Sequence, residues 1–387
     1  MYKKFVTPII LFLTTAIIYS LASPGPTYYT YFTRLAEGFT HLHLYTQEAP
    51  SWLNELIPVD GRYYIALPPM PAVMMVPGIL IFGKFFSETY FSIILAGINI
   101  VLVYKLIKKI NFSEETAVLI AFFFGFGTNH WFLASVGSSW YIAHIVALFF
   151  LLLALLETFG RKRLWLVGLF LGAAFWSRTT VIFTLPFFFI YLYKEFWAVK
   201  KNMLKILYFI LPVLAFIFLD ALYNYLRFNK FSPLAPYQLI PGISSDRIFG
   251  EGFMSLKFIP RHLKAIFFEL PKIQSAFPYM VPSLYASALW FTSPLLLFIT
   301  LIRRNILTLA CWSAIIPTVF VISLWAGVGY AQFGYRFAQD FMPFLLILTA
   351  IGIGNKPSKI AYLLLTLSIL VNAWGVIVVN KLNIFFM

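Results

Sequence analysis

Six clusters of basic residues punctuate this chain, each at one end of a long apolar stretch: Lys3-Lys4, Lys105/Lys108/Lys109, Arg161-Lys162-Arg163, Lys200-Lys201/Lys205, Arg303-Arg304 and Lys356/Lys359. Acidic residues mostly avoid those ends. The positive-inside rule places all six on the cytoplasmic side, so each interval between neighbouring clusters is a membrane hairpin. Composition agrees, because 61% hydrophobic and 11% charged residues over 387 positions, with mean hydropathy +0.85, exceed what a soluble core of this length buries. The expected fold class is an all-α polytopic membrane protein. The formal net charge of +15 does not point to nucleic acid, since Lys and Arg sit in short inter-helix loops and not in one aromatic-interleaved patch. Membrane lipids with anionic headgroups are the better partner. Cys311 is the single cysteine and lies in an apolar segment, which excludes an internal disulfide or a cysteine metal cluster.

A hydrocarbon core of about 30 Å needs about 20 apolar helical residues, and that length predicts about eleven spans. The first covers residues 6–23; with Lys3-Lys4 before it, it resembles a signal peptide, but further spans follow and it reads as an uncleaved helix. The chain then stays outside until a span at 89–107. Residues 70–86 are apolar but interrupted by Pro71, Pro77, Gly78 and Gly83, and are expected to form a re-entrant or interfacial helix. Further hairpins follow at 114–127 with 140–158, 164–177 with 179–194, 203–222 with 284–302, and 306–325 with 338–354, before a last span at 359–379. The stretch 164–194 reads alternatively as one long tilted helix, although basic residues at both ends favour two short crossings.

On this map ten of the fourteen acidic residues fall outside or at the outer face, among them Glu37, Glu48, Glu55, Asp60, Glu88, Asp220 and Asp340, together with Asp246, Glu251 and Glu269. Two outer segments are large, residues 23–88 and 223–283, within what is otherwise a single transmembrane domain of residues 1–387. The second also carries Arg227, Lys230, Arg247, Lys257, Arg261, Lys264 and Lys272, against the positive-inside trend. An anionic ligand on the outer face is one reason for such cations; the indifference of long loops to charge is another. The first segment holds the densest polar constellation, from Trp52 through Glu55, Asp60-Gly61-Arg62-Tyr63-Tyr64 and Pro68-Pro69 to Pro71. A carboxylate there can take an acceptor's hydroxyl proton. Asp60-Gly61 is equally an ordinary turn signal, whereas Glu55 has no turn partner.

These residues resemble the first extracytoplasmic loop of GT-C glycosyltransferases of the protein-mannosyltransferase and aminoarabinose-transferase type. Bacterial members carry an acidic residue about six positions before a Gly-Arg/Lys-x-Tyr element and a Pro-Pro-x-Pro, matched by Glu55, Gly61-Arg62-Tyr63-Tyr64 and Pro68-Pro69-Met70-Pro71. Leu35-Ala36-Glu37-Gly38-Phe39 resembles the amphipathic juxtamembrane helix of that type. Three later stretches are also similar: Gly127-Thr128-Asn129 through Trp140-Tyr141 to His144, Tyr223-Asn224-Tyr225 to Arg227-Phe228, and Gly334-Tyr335-Arg336-Phe337 through Asp340 to Pro343. Two departures stand out. The family usually has Asp where Glu55 stands, and its N-terminal Asp-Glu pair is replaced by Thr30-Tyr31-Phe32-Thr33-Arg34.

The resemblance implies a hexosyl- or pentosyltransferase at the outer face of a bacterial cytoplasmic membrane. Its donor would be a sugar on a polyprenyl phosphate, and its acceptor a protein, a glycolipid or a glycan. Direct displacement would invert the anomeric centre, with Glu55 or Asp60 as the base. Arg336 is the first candidate for the donor phosphate, since the guanidinium fork suits phosphate oxygens; Arg261 and Lys264 come next, then Arg227. Arg336 has a structural alternative, an i,i+4 pair with Asp340. Arg62, Tyr63, Tyr64, His144, Tyr335 and Asp340 are candidates for sugar or acceptor binding, and Arg178 and Asp220 count as ionisable residues within spans. No metal-ligand spacing such as His-Glu-x-x-His occurs, so no obligatory metal is expected, a divalent ion through Glu55, Asp60 and a histidine being the open alternative. A lipid-linked-sugar flippase is the competing reading, but no inverted repeat is evident.

Overall fold

The computed structural model describes residues 3–197, 203–241 and 252–386. Lys200, Lys201, Asp246, Arg247 and Glu251 lie outside the described residues. Helix α1 (Lys3–Ala22) is followed by the short α2 (Tyr31–Thr40), a hairpin of β1 (Leu56–Val59) with β2 (Arg62–Ile65), and α3 (Met70–Phe82). Then come α4 (Glu88–Lys109), α5 (Glu114–Phe126), α6 (His130–Val136), α7 (Ser139–Thr158), α8 (Leu164–Phe175), α9 (Leu185–Tyr191), α10 (Tyr193–Trp197), α11 (Met203–Phe228) and α12 (Ala235–Gln238). After the second outer segment, with α13 (Ile259–Phe267) and the hairpin β3 (Lys272–Ile273) and β4 (Met280–Val281), the chain continues through α14 (Leu289–Thr292), α15 (Ile306–Ser323), α16 (Met342–Ile353) and α17 (Lys359–Asn380).

Local chemistry sets the ends of the long helices. Ser87, Ser113 and Ser358 accept backbone N–H bonds at the starts of α4, α5 and α17, and Asn305 with Thr308 closes a capping box on α15. Acidic Glu88, Glu114 and Glu115 open α4 and α5, and Lys108 and Lys109 close α4, each matching the helix dipole. Helix α4 packs on α1, α5 and α7, and α8 lies between α7 and α11. The centre is thus α4 with α7, while α11 and α17 turn long apolar faces outward, as Leu211 (56% exposed) and Phe218 (65%) show. That outward face is what a lipid-facing helix requires.

Five helices among the described residues are long and apolar enough to cross a membrane: α4, α7, α11, α15 and α17. The pair α5 and α6, bent by 51°, makes a sixth if counted as one span. The apolar helices α3, α8, α9 with its 3-10 lead-in, and α16 are shorter than the hydrocarbon length, while α1 offers the apolar stretch Val6–Ala22 at the lower limit of a span. The sequence-based spans therefore correspond to helices in most places, but about half of the eleven reach full length by themselves. Two differences have local causes. The span expected at 284–302 is instead α14 followed by a 3-10 helix, Pro294–Leu301, because Ser287, Ser293 and Pro294 interrupt it. Helix α11 runs on to Phe228, so the 223–228 motif rides on a helix and not in a loop. Over 164–194 the two short crossings favoured from the sequence correspond to two segments, since the chain breaks at Trp176-Ser177-Arg178, between α8 and the 3-10 helix Thr179–Thr184.

The first outer segment is built, not slack. Helix α2 buries Tyr31, Phe32, Leu35 and Ala36 and packs on α3, while Arg34 on another face pairs with Glu48 at 2.5 Å. Glu88, buried at the head of α4, accepts from the Thr33 amide at 2.6 Å and the Ser139 hydroxyl at 2.8 Å, joining α2, α4 and α7. The β1–β2 hairpin turns at Asp60 (φ +50°) and Gly61 (φ +73°), the two left-handed positions of a type I′ turn.

Candidate active site

The four stretches singled out in the sequence meet at one end of the helix bundle. The first joins the second where the Trp140 indole N–H, at the head of α7, donates to Glu55 Oε2 at 2.8 Å. The Glu55 amide donates to the Tyr31 hydroxyl at 3.1 Å, and Tyr29 and Tyr31 pack around Trp140 at 4.8 and 5.6 Å between ring centroids. Glu55 is half-buried; burial raises its carboxyl above the ordinary value, while the Trp140 bond and the charge of Arg336 oppose that shift. Oε1 has no hydrogen-bond partner among the described residues. The carboxylate is therefore held by one oxygen and open at the other.

The second stretch meets the fourth along several contacts. Gly334 takes φ +74°, and a Cβ there would stand 3.0 Å from Asn129 Cβ, so this turn suits glycine on both counts. Asn129 Oδ1 accepts from the Gln339 amide, and the Tyr141 hydroxyl donates to the Ala331 carbonyl at 2.5 Å. Between these fastenings Arg336 opens the 3-10 helix Arg336–Asp340, its guanidinium 5.6 Å from the centroid of Tyr141 and 5.1 Å from that of Phe337. Its Nε is buried without a hydrogen-bond partner, and no carboxylate pairs with it among the described residues. The i,i+4 alternative is not taken.

Asp340 turns instead to Arg178, at 2.9 Å to NH2 and 3.3 Å to Nε, to the Thr180 hydroxyl at 2.5 Å, and to His144 Nδ1 at 2.8 Å. The side chains of Asp340 and His144 are wholly buried. This network is a fixed wall: Arg178 and Thr180, from the turn after α8, and His144, from α7, together hold the one buried carboxylate on the 3-10 helix Arg336–Asp340. It leaves Asp340 no free oxygen for a sugar, although His144 Nε2 is unpartnered. Arg178 lies 5.3 Å from the centroid of Phe337, so it borders the Arg336 site without entering an ion pair there.

The remaining candidates fall into place around this centre. Asp60 is exposed in the turn at the tip of the hairpin, and Arg62 beside it stacks over Tyr45 at 4.8 Å. Tyr63 bridges to Thr46 through the backbone, and Tyr64 is buried against Phe228 and Tyr45. Arg227 has all three nitrogens engaged: NH1 with the Ile65 carbonyl at 2.6 Å, NH2 with Asn224 at 2.8 Å and Nε with the Tyr223 carbonyl at 3.2 Å. It clamps the hairpin to α11. Arg261 is exposed, with NH1 on the Ala326 carbonyl at 3.1 Å, and Lys264 pairs loosely with Glu269 at 3.6 Å. Their neighbour His262 is buried, with Nε2 at 2.9 Å from the Trp325 carbonyl and Nδ1 at 2.7 Å from the Tyr335 hydroxyl. A carbonyl accepts only, so Nε2 carries the proton and Tyr335 donates to Nδ1. Burial lowers the basicity of His262, which keeps this neutral form. Tyr335 is thereby fixed, not free.

Sequence reading gave Trp140 as part of a motif without a role, and missed Thr180 and Tyr237. Tyr237, on α12, packs edge-on against Trp325 at 5.3 Å between ring centroids, and the Trp325 carbonyl in turn accepts from His262. Its signal was absent from the sequence, because a tyrosine between two prolines in a loop reads as an ordinary turn. Among the described residues, no group of three or more His, Cys, Asp or Glu is arranged to hold a metal ion.

No protein-family model matches the sequence, and no curated protein matches it. The fold does have a counterpart among solved structures. The apo crystal structure of the Archaeoglobus fulgidus oligosaccharyltransferase is similar over 96% of this chain and 55% of that chain, with a TM-score of 0.50 and 15% sequence identity. The chain therefore spans about half the length of that enzyme. At this identity the likeness speaks to architecture alone: the chain shares its helical fold with part of that enzyme.

Proposed function

We propose that the chain is a GT-C membrane glycosyltransferase that moves a sugar from a polyprenyl-phosphate donor to an acceptor hydroxyl, at the face where Glu55 and Arg336 lie. The observation that carries this reading is a half-buried carboxylate, held through Oε2 by Trp140, on the same side as a guanidinium that lies 5.6 Å from the ring of the adjacent Tyr141 and has no ion-pair partner among the described residues. An enzyme of this kind needs a base and an anion site that do not neutralise each other. The likeness to an oligosaccharyltransferase supports the fold on which the reading rests.

In the proposed step Glu55 takes the proton of the acceptor hydroxyl, whose oxygen bonds to the anomeric carbon. The bond from that carbon to the phosphate oxygen breaks, and the electron pair leaves with polyprenyl phosphate, whose new charge is met by Arg336. One displacement inverts the configuration. Trp140 holds the base by one oxygen, and the Arg178–Asp340–His144 network holds the 3-10 helix that presents Arg336. The exposed apolar face of α11, whose last turn carries Arg227 against the hairpin, suits the donor's lipid tail. A bacterial cytoplasmic membrane, with this site on its extracytoplasmic face, is the setting that the basic clusters support. The acceptor is a glycan, a glycolipid or a protein.

The test is release of free polyprenyl phosphate from a panel of labelled polyprenyl-phosphate sugars by purified protein with envelope extract, comparing wild type with Glu55→Gln and Asp60→Asn. The proposal expects release by wild type and by Asp60→Asn and none by Glu55→Gln. Consumption of no donor, with labelled lipid exchanging leaflets in proteoliposomes, would replace the transferase with a transporter.

A further inference from the structure

The ends of α4 and α7 remote from Glu55 form a second polar feature. Helix α4 runs 22 residues from Glu88 to Lys109 and α7 runs 20 from Ser139 to Thr158, which at 1.5 Å per residue sets this end about 30 Å from the candidate active site. A cleft of about 860 Å³ opens there between the start of α1, the end of α4 and the α7–α8 turn. Two of its cations are spent within the protein: Arg163 grips Glu157 through NH2 and Nε at 2.8 and 3.0 Å, and Lys108 lies 3.4 Å from Glu114, which also accepts from Tyr104 at 2.6 Å. Lys105, Lys109 and Arg161 line the same cleft and have no carboxylate partner among the described residues. The Lys109 stem passes over Gly160, where a Cβ would stand 3.5 Å from its Cε, so this charge is led across from α4 to the α7–α8 turn.

Both acidic groups of the cleft are thus already satisfied, and three cations are left converging on one space. Directly beside the cleft α1 exposes Val6, Ile9 and Ile10, at 48%, 56% and 53%, and α8 exposes Trp165 at 51%. Charge that calls for an anion therefore adjoins an apolar surface that calls for hydrocarbon, with a tryptophan at the boundary where indoles favour the membrane interface. We propose that this cleft binds the headgroup of an anionic phospholipid, with the phosphate among Lys105, Lys109 and Arg161 and the acyl chains along α1. The three side chains come from α4 and from the α7–α8 turn, so an occupied site ties together the two central helices at the end opposite the chemistry. This inference does not depend on the proposed transferase activity.

The experiment is native mass spectrometry of the detergent-purified chain with equal phosphatidylglycerol and phosphatidylcholine. Wild type is expected to retain phosphatidylglycerol preferentially, and Lys105→Gln/Lys109→Gln/Arg161→Gln to lose at least about tenfold of that preference, since basic residues near a membrane surface each contribute severalfold. The control Arg303→Gln/Arg304→Gln/Lys356→Gln removes the same charge elsewhere and is expected to keep the preference. All six positions are exposed, and an unchanged melting temperature in phosphatidylcholine checks that the variants fold. No preference in wild type, an equal loss in the control, or displacement of the lipid by millimolar inorganic phosphate would overturn the proposal.

Discussion

Replacing Trp140 by Phe keeps the aromatic packing against Tyr29 and Tyr31 but removes the one side-chain donor bonded to Glu55. A hydrogen bond to a charged group contributes about 1.5–3 kcal/mol. One pKa unit corresponds to about 1.4 kcal/mol, so the lost bond is worth about 1–2 units. Glu55 is half-buried and water recovers part of the loss, which favours the lower figure. The sign follows from the charge state: the indole N–H favours the carboxylate, so without it the carboxyl, already raised by burial, rises further. A base works deprotonated, so the acid limb of the pH–rate profile should move to higher pH by about one unit, with most of the rate recovered on the alkaline side. The assay is polyprenyl phosphate release by wild type and Trp140→Phe across the pH range, with Glu55→Gln alongside, expected to lose about 10²–10⁴ in rate at every pH. A limb that stays in place, or one that persists unchanged in Glu55→Gln, would refute Glu55 as the base.

Asp60→Asn should leave both transfer rate and melting temperature near wild type, because Asn-Gly suits the same type I′ turn; a loss of rate with the fold intact would return Asp60 to the chemistry. Asp340→Ala strips the carboxylate from Arg178 and should lower unfolding stability by about 3–5 kcal/mol, read by thermal denaturation in detergent. Arg227→Gln should destabilise the β1–β2 hairpin and lower the melting temperature, while donor affinity in the surviving fold stays within the wild-type range; a selective loss of donor affinity would restore it as a phosphate ligand. Gly168→Ala drives a Cβ into the Phe209 carbonyl oxygen at the α8–α11 contact and should cost about 1–3 kcal/mol in the same denaturation assay.

The sequence carried the helical plan because basic clusters and apolar runs obey one solvent rule, and most intervals became helices where the charges said they would. It failed at 284–302, where apolarity alone suggested a span but serines and Pro294 gave a 3-10 segment. The convergence of the four motifs was foreshadowed by their shared face, yet the partners were not. Arg336 and Asp340 are four residues apart, an obvious pair on an α-helix, but the 3-10 turn that holds them leaves Asp340 to Arg178, 162 residues away. Arg227 looked like an anion ligand because a cation outside the membrane invites one, and only its backbone acceptors reveal a clamp. Trp140 carried no chemical signal in one dimension, since an indole near a helix start is usually an interface anchor. Its role depends on a contact to Glu55, 85 positions away.

One paired measurement tests the proposal that Glu55 is the base and Arg336 a separate anion site: binding of a labelled polyprenyl-phosphate sugar and its single-turnover transfer by purified wild type, Glu55→Gln and Arg336→Gln. Glu55→Gln is expected to bind donor with wild-type affinity and transfer it about 10²–10⁴-fold more slowly, whereas Arg336→Gln binds donor at least tenfold more weakly, a loss of about 1.4 kcal/mol or more for a charge-assisted contact. Wild-type affinity and turnover in both variants would contradict the account and move the site elsewhere on the molecule.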